Sequence, residues 1–434
     1  MKLTDGFDLI DPASYAANGP PHESWTALRR HSPVHRCEPR DYPPFWAITR
    51  HAHICEISKQ PDKFLNQTGI THQRTHETID RSEGIGAMRT IIEMDPPEHR
   101  GFRKVASPWF TPRALDRIDA AVQASARALV DGLAGRTGAG ECDFARDVAT
   151  AHPLRILSTI LGVPRAEEPR ILRLTNQIFA FEDTELQRPG ESREQAIREL
   201  GLELYQLFAG IIEDRRRNPR DDLATVLANG RVNGEPMGPL ETFGYYLITF
   251  TAGHDTTKNA LAGGMHALIQ NPDELAKLRR DPGLVKPAVE EVVRWASPVN
   301  YMRRRAARHT EVGGQRIRQG RLADPLLRLG QPRRGRLRRS LLLPRRPRSE
   351  PPRGLRARRA LLSRLAPGAP LATRALRRAR AAPRARRARG RARVDPVELR
   401  RRPEAPADPL PHRARRVMEP APTSLEEAWP LGTP

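Results

Sequence analysis

The chain has 434 residues, long enough to bury a large core, and carries a formal charge of +23. That charge is uneven: from Arg321 onward there are 31 Arg, no Lys and nine Asp plus Glu, so the tail holds +22 and the body is near neutral. The tail lacks Ile, Phe, Tyr, Asn and Cys, which excludes an ordinary apolar core there. The body's Cys37, Cys55 and Cys142 lack C-x-x-C spacing, which excludes a disulfide framework and fits a reducing cytoplasm.

The expected start is M-K-L-T-D-G-F-D, where Asp5 and Asp8 interrupt any signal-peptide core. No apolar run reaches the ~20 residues a bilayer requires, so no membrane anchor is expected. Val34 to Pro39 and Pro44 to Thr49 read as two short strands around a Pro-rich turn, followed by a helix over His51 to Lys59. Gln67 to Ile92 is polar, aperiodic and interrupted by Gly69, Gly84 and Gly86, so it reads as a long loop of the kind that covers sites. Asp95-Pro96-Pro97 and Thr111-Pro112 are helix-start signals, and Ala114 to Leu133 is an amphipathic helix.

Further helices fit Pro153 to Leu161, Ser192 to Arg217 and Leu240 to Ile269, the last apolar enough to be a buried central rod ended by Asn271-Pro272. Pro282 to Trp295 is helical, and Asn300 to Val312 with Gln315 to Arg318 reads as a β-hairpin turning on Gly313-Gly314. Beyond Gly320 the 3.6-residue and two-residue periodicities stop, and an Arg, Pro, Ala and Leu bias takes over. The expected division is a body over 1–320 and a low-complexity tail over 321–434, disordered or irregular.

Three motifs carry chemistry. The central rod contains A-G-H-D-T-T, Ala252 to Thr257. Gly253 costs about 1 kcal/mol there against Ala, and a hydroxyl bonded to the preceding turn bends a helix. Taken alone, the motif is also explained by a glycine for close packing with Asp255 on a solvated face. E-x-x-R places Glu291 and Arg294 one turn apart, by itself an ordinary surface pair. D-P-P-E-H-R-G-F-R puts His99 and Arg103 on one helix face, where they can grip an anion together, although a lone His and Arg pair is usually structural.

The order and spacing of these motifs, with R-R-A-A-R-H-T-E-V after them, resemble the soluble bacterial cytochrome P-450 family of haem-thiolate monooxygenases, over Met1 to about Gly320. The resemblance implies a mainly α fold with small β-sheets, C-terminally incomplete, built for haem b. It implies that His99, Arg103 and Arg304 contact haem propionates and that Glu291 and Arg294 form a buried structural ion pair. Ala252 and Gly253 would form the dioxygen groove, with Asp255 and Thr256 relaying protons to it. It also implies a small apolar organic substrate, insertion of one oxygen atom, and electrons from separate ferredoxin and reductase proteins.

The family's iron ligand is a cysteine in a late F-G-x-G-x-H-x-C-x-G loop. This chain has no such loop: all three cysteines precede the motifs and none is followed by x-Gly, so no metal ligand is assigned. A tail rich in Arg, Ala, Pro, Leu and Gly is what GC-rich codons yield out of register. Joining the last two bases of each codon to the first of the next makes Pro325 to Arg334 compatible with L-Y-Y-A-S-A-N-R-D and an acidic residue. The same shift from Glu350 to Leu365 permits N-P-H-x-G-F-G-x-G-x-H-Y-C-L-G, its cysteine codon spanning Leu362 and Ser363. Two family segments in order and in one frame place a slip between about Gln315 and Pro325. As written, the chain is expected to be inactive; the alternatives are a non-catalytic relic, or a nucleic-acid-binding protein acting through the tail. No aromatic residues interleave with the arginines, so no specific nucleic-acid partner is expected.

Overall fold

The computed structural model describes residues 3–67, 69–75, 88–111, 115–133, 140–179 and 193–327. The tail beyond 327, half of the Gln67 to Ile92 loop (68 and 76–87), residues 112–114, which hold the expected Pro112 and Ala114 helix start, and residues 180–192 therefore lie outside the described residues. The helices are α1 Phe7–Ile10, α2 Pro12–Asn18, α3 His22–His31, α4 His51–Ser58, α5 Glu98–Ala106, α6 Asp119–Gly132 and α7 Ala151–Ile160. They continue with α8 Glu168–Phe179, α9 Arg193–Arg217, α10 Leu223–Ala228, α11 Pro239–Gln270, α12 Pro272–Arg280 and α13 Val285–Ala296.

The strands are β1 Val34–Cys37, β2 Phe45–Ile48, β3 Phe64–Leu65, β4 Arg231–Val232, β5 Glu235–Pro236, β6 Arg304–Ala306, β7 Thr310–Val312, β8 Gln315–Ile317 and β9 Leu322–Pro325. Most sequence expectations fall within a few residues of these bounds. Two differ. The helix expected from Pro282 opens instead as a 3-10 turn over Pro282–Leu284, and the strand expected over Asn300 to Val312 breaks into β6 and β7. The break follows from a change of partner: Ala307 donates to Lys63 O, so β6 joins a five-stranded sheet while β7 pairs only with β8.

That sheet has the order β1-β2-β9-β6-β3, with β2 and β9 parallel and the other neighbours antiparallel. Its middle strand, β9, begins just past Gly320, so the described body extends across the change in composition.

The 32-residue helix α11 runs through the main core. It starts at Pro239, where proline's fixed φ suits the first turn, and Glu241 accepts the Gly238 N–H at 2.7 Å. It buries Phe243, Tyr246, Phe250, Ala260, Leu261, Ala267 and Leu268 on several faces, as an internal helix must. Glycine lets its neighbours come close: a Cβ on Gly264 would lie 2.6 Å from Val292 of α13, and one on Gly253 would lie 2.9 Å from Leu157 of α7. No helix among the described residues is long and apolar enough to cross a membrane.

Substituting Gly264→Leu should cost about 1–3 kcal/mol in urea unfolding, the range for overpacking a close contact. Val292→Ala in the same chain should recover part of that loss. A double-mutant cycle giving strict additivity would contradict the packing argument.

Candidate functional site

The A-G-H-D-T-T segment lies mid-way along α11 with its side chains committed to different neighbours. Thr256 donates its hydroxyl to the Ala252 carbonyl at 2.8 Å, the i−4 bond that bends a helix. Thr251 makes the same bond to Leu247. Asp255 is partly exposed and held by its own helix: Lys258 at 2.6 Å and Asn259 at 3.0 Å both bond its carboxylate. Ala252 is partly exposed, whereas Gly253 is buried against Leu157, so close packing is by itself sufficient reason for a glycine there.

His254, between Gly253 and Asp255, is, like Thr257, a member of the motif to which sequence reasoning assigned no role. It is 1% exposed, stacks on Phe250 and donates Nε2–H to the Thr150 carbonyl at 3.2 Å. Thr150 ends a π-helical turn over Ala145–Thr150, whose wider winding leaves a carbonyl available to a neighbour. Burial holds the imidazole neutral, pulling its pKa down to about 4. A histidine in an apolar helix is a usable signal, but its partner is 104 residues away in sequence.

Glu291 and Arg294 do meet. Arg294 Nε and Nη2 donate to the two Glu291 oxygens at 2.6 and 2.7 Å, and the carboxylate is fully buried. The surface-pair alternative is therefore set aside: this is a bidentate ion pair inside the fold, whose desolvation cost requires that geometry.

His99 and Arg103 sit one turn apart on α5. Arg103 lies within electrostatic reach of Tyr245 of α11, whose hydroxyl donates to Phe102 O at 3.1 Å and whose pKa burial pushes up to about 12. Arg304 opens β6 with its Nη1 bonded to Arg303 O at 2.9 Å. Burial pulls its pKa down to about 10, against the opposing pull of Asp95 and Asp324. Asp95 accepts from Asn66 and lends its carbonyl to the His99 N–H, so Arg304 faces the start of the helix that bears His99 and Arg103. Sequence reasoning missed Arg303, which is buried and bonds Gly69 O.

Of the three thiols, Cys37 shares the Asp324 carboxylate as an electrostatic neighbour with Arg304. Cys37 is fully buried in β1, where burial and the Asp324 carboxylate push its thiol far above the ordinary range. Cys55 lies on α4 beside His51 at 3.4 Å, with its thiol raised by burial. Cys142 is exposed in the stretch before the π-helical turn. Burial outweighs the nearby Lys59 at Cys55, so both thiols are disfavoured as thiolates, and among the described residues no group of His, Cys, Asp and Glu is arranged to hold a metal.

The family model described as Cytochrome P450 matches residues 31–323. Cytochrome P450-terp of Pseudomonas is 35% identical over 323 residues, 72% of this chain and 75% of that protein. Linalool 8-monooxygenase of Pseudomonas putida is 33% identical over 321 residues, 72% of this chain and 76% of that protein. The crystal structure of CYP108D1 from Novosphingobium aromaticivorans superposes with a TM-score of 0.71 at 31% identity, covering 87% of this chain and 91% of that one.

Two outcomes check the site's energetics. Arg294→Met should cost about 3–5 kcal/mol by denaturant unfolding, since it strands the Glu291 carboxylate in the interior. A loss within the range of an exposed pair would contradict that reading. The His254 effect is a linkage: its folded pKa of about 4 lies below the ordinary 6.5, so the unfolded chain binds more protons between them. Stability should be fully present above pH ~6.5 and fall by about 3 kcal/mol as pH drops toward ~4. His254→Phe should flatten that part of the pH–stability curve.

Proposed function

The chain belongs to the cytochrome P450 family, whose members bind haem and act as monooxygenases, and from that premise we propose that its gene lineage specifies an enzyme inserting one oxygen atom into a small apolar organic substrate. The partly exposed apolar side chains Met88, Ile91, Leu247 and Ile248 support an apolar substrate. So does the similarity to a linalool 8-monooxygenase, a relative named for a terpene alcohol. Asp255 and Thr256 would handle protons beside Ala252 and Gly253, while His99, Arg103 and Arg304 would hold propionates. Electrons would come from separate ferredoxin and reductase proteins, in the cytoplasm.

The polypeptide as written does not fit that cofactor. The cationic groups that would bind propionates are present, but the iron needs a thiolate, and burial holds Cys37 and Cys55 as thiols on β1 and α4. No catalytic step is therefore derived through the haem, and the literal chain is read as inactive, a relic in its present form.

The single observation that carries this reading is the coincidence of three boundaries. The family match ends at residue 323, the acidic and aromatic residues thin out after Gly320, and the first strand past that point places a proline in the middle of the sheet. In β9, the middle strand, Asp324 is fully buried and Pro325 has no N–H to donate. The shifted frame puts Leu at 325, a residue that suits a central strand. These facts support one frame slip between about Gln315 and Pro325. The lack of aromatic residues among the tail's arginines disfavours the nucleic-acid alternative; salt-sensitive DNA binding by the body with the tail deleted would favour it.

The chain as written, mixed with haem, reduced and exposed to carbon monoxide, should give no haem-thiolate absorption band. A band of that type would overturn the inactive reading.

A further inference from the structure

The surface of the five-stranded sheet carries a recess that the oxygenase reading does not use. Pro44, Phe45 and Trp46 floor it, and Arg36, Arg316, Arg318 and Arg321 surround it, enclosing about 300 Å³. Strand geometry explains why the charges converge. Arg316 and Arg318 flank the fully buried Ile317, so both leave the hairpin on the face opposite the core. Arg36 stands directly across from Trp46 in the antiparallel β1–β2 ladder, on the same outward face. Arg321 precedes Leu322, which pairs with Phe45, and this brings a fourth guanidinium to the floor.

The charge is largely uncompensated. Arg36 pairs with Glu38 at 2.7 Å. Arg316, Arg318 and Arg321 have no ion pair among the described residues, and Glu311, across from Arg316 in the hairpin register, makes none with it. Three guanidiniums without an ion pair among the described residues border one aromatic floor, and an anion bound there would neutralise them. Their planar forks match the oxygens of a phosphate, and the exposed part of Trp46 offers a face for a ring to stack on. A volume of about 300 Å³ is at the small end of ligand sites and larger than an inorganic anion needs.

We propose that this recess binds a small organic phosphate with a planar ring, its phosphate held by Arg316, Arg318 and Arg321 and its ring against Trp46. Three of the four arginines precede Gly320, and the proposal does not depend on the oxygenase reading.

The test uses the full chain labelled with 5-fluorotryptophan, the Trp46 signal being identified by its loss in Trp46→Phe. Adenosine 5′-monophosphate should shift that signal saturably, with ribose 5-phosphate and orthophosphate weaker by roughly tenfold or more. Arg316→Ala with Arg318→Ala should weaken binding by roughly tenfold or more, two charged hydrogen-bonding groups having been removed. Both positions are exposed, so the thermal melt should not move; if it does, Arg318→Ala alone serves and should weaken binding in the same direction. The arginine-rich tail also attracts phosphates, so binding that survives Arg316→Ala with Arg318→Ala, or a titration with no Trp46 shift, would overturn the proposal. So would equal binding of all three probes, insensitivity to the arginine variants, or a Trp46 response to anionic lipid vesicles without one to the nucleotide.

Discussion

The five-stranded sheet depends on its middle strand. β9 is paired on both sides, parallel to β2 and antiparallel to β6, and every residue from Ala323 to Leu327 is buried. A strand in that position must supply N–H groups to its neighbours and must not bring an uncompensated charge. β9 satisfies the backbone demand partly by deferral: Leu326, one residue late, donates to Ile48 O at 3.0 Å, and Pro325 O accepts from Met302. It satisfies the charge demand through His72, whose ring bonds Asp324 with both groups out of solvent. The far atoms of that pair, His72 Nδ1 and Asp324 Oδ1, have no partner, which is an expensive arrangement in a low-dielectric interior. The sheet thus closes around a strand whose chemistry is wrong for the place it occupies.

The helical body also holds buried polar atoms without a hydrogen-bond partner, Ser158 Oγ and Gln177 Oε1 among them, but its motif residues are matched. In α11 the costly residues each have a partner: Gly253 admits Leu157, Thr256 bonds the preceding turn, His254 ties the helix to the π-helical turn, and Asp255 is held by Lys258 and Asn259. Glu291 and Arg294 are matched on both oxygens. At these motifs local signals and tertiary contacts agree, as expected of a sequence selected for its fold. The proline in a middle strand comes within a few residues of Gly320.

Much of this was legible in the sequence wherever the deciding chemistry is local. Proline and glycine punctuation gave α11 to within a residue at each end, and Gly313-Gly314, both at positive φ, gave the β7–β8 turn. The motifs led to the family because their spacing is a property of the chain alone. What stayed hidden depends on partners far apart in sequence. The split of β6 from β7 is decided by Lys63, the anchoring of His254 by Thr150, and the burial of Arg303 by Gly69 and Ile70. The burial of Asp324 was hidden for the same reason, and composition pointed the other way, since an Arg-rich tail gives no hint that its first residues complete a sheet.

The central claim is that the residues beyond the seam encode the missing ligand loop in another frame, and the codons for Leu362 and Ser363 test it most directly. The account predicts a Leu362 codon ending in TG followed by a Ser363 codon beginning with T, which together spell cysteine in the shifted frame, within a continuous N-P-H-x-G-F-G-x-G-x-H-Y-C-L-G. A Ser363 codon beginning with A, or a Leu362 codon ending in any base but G, leaves no cysteine there and contradicts it.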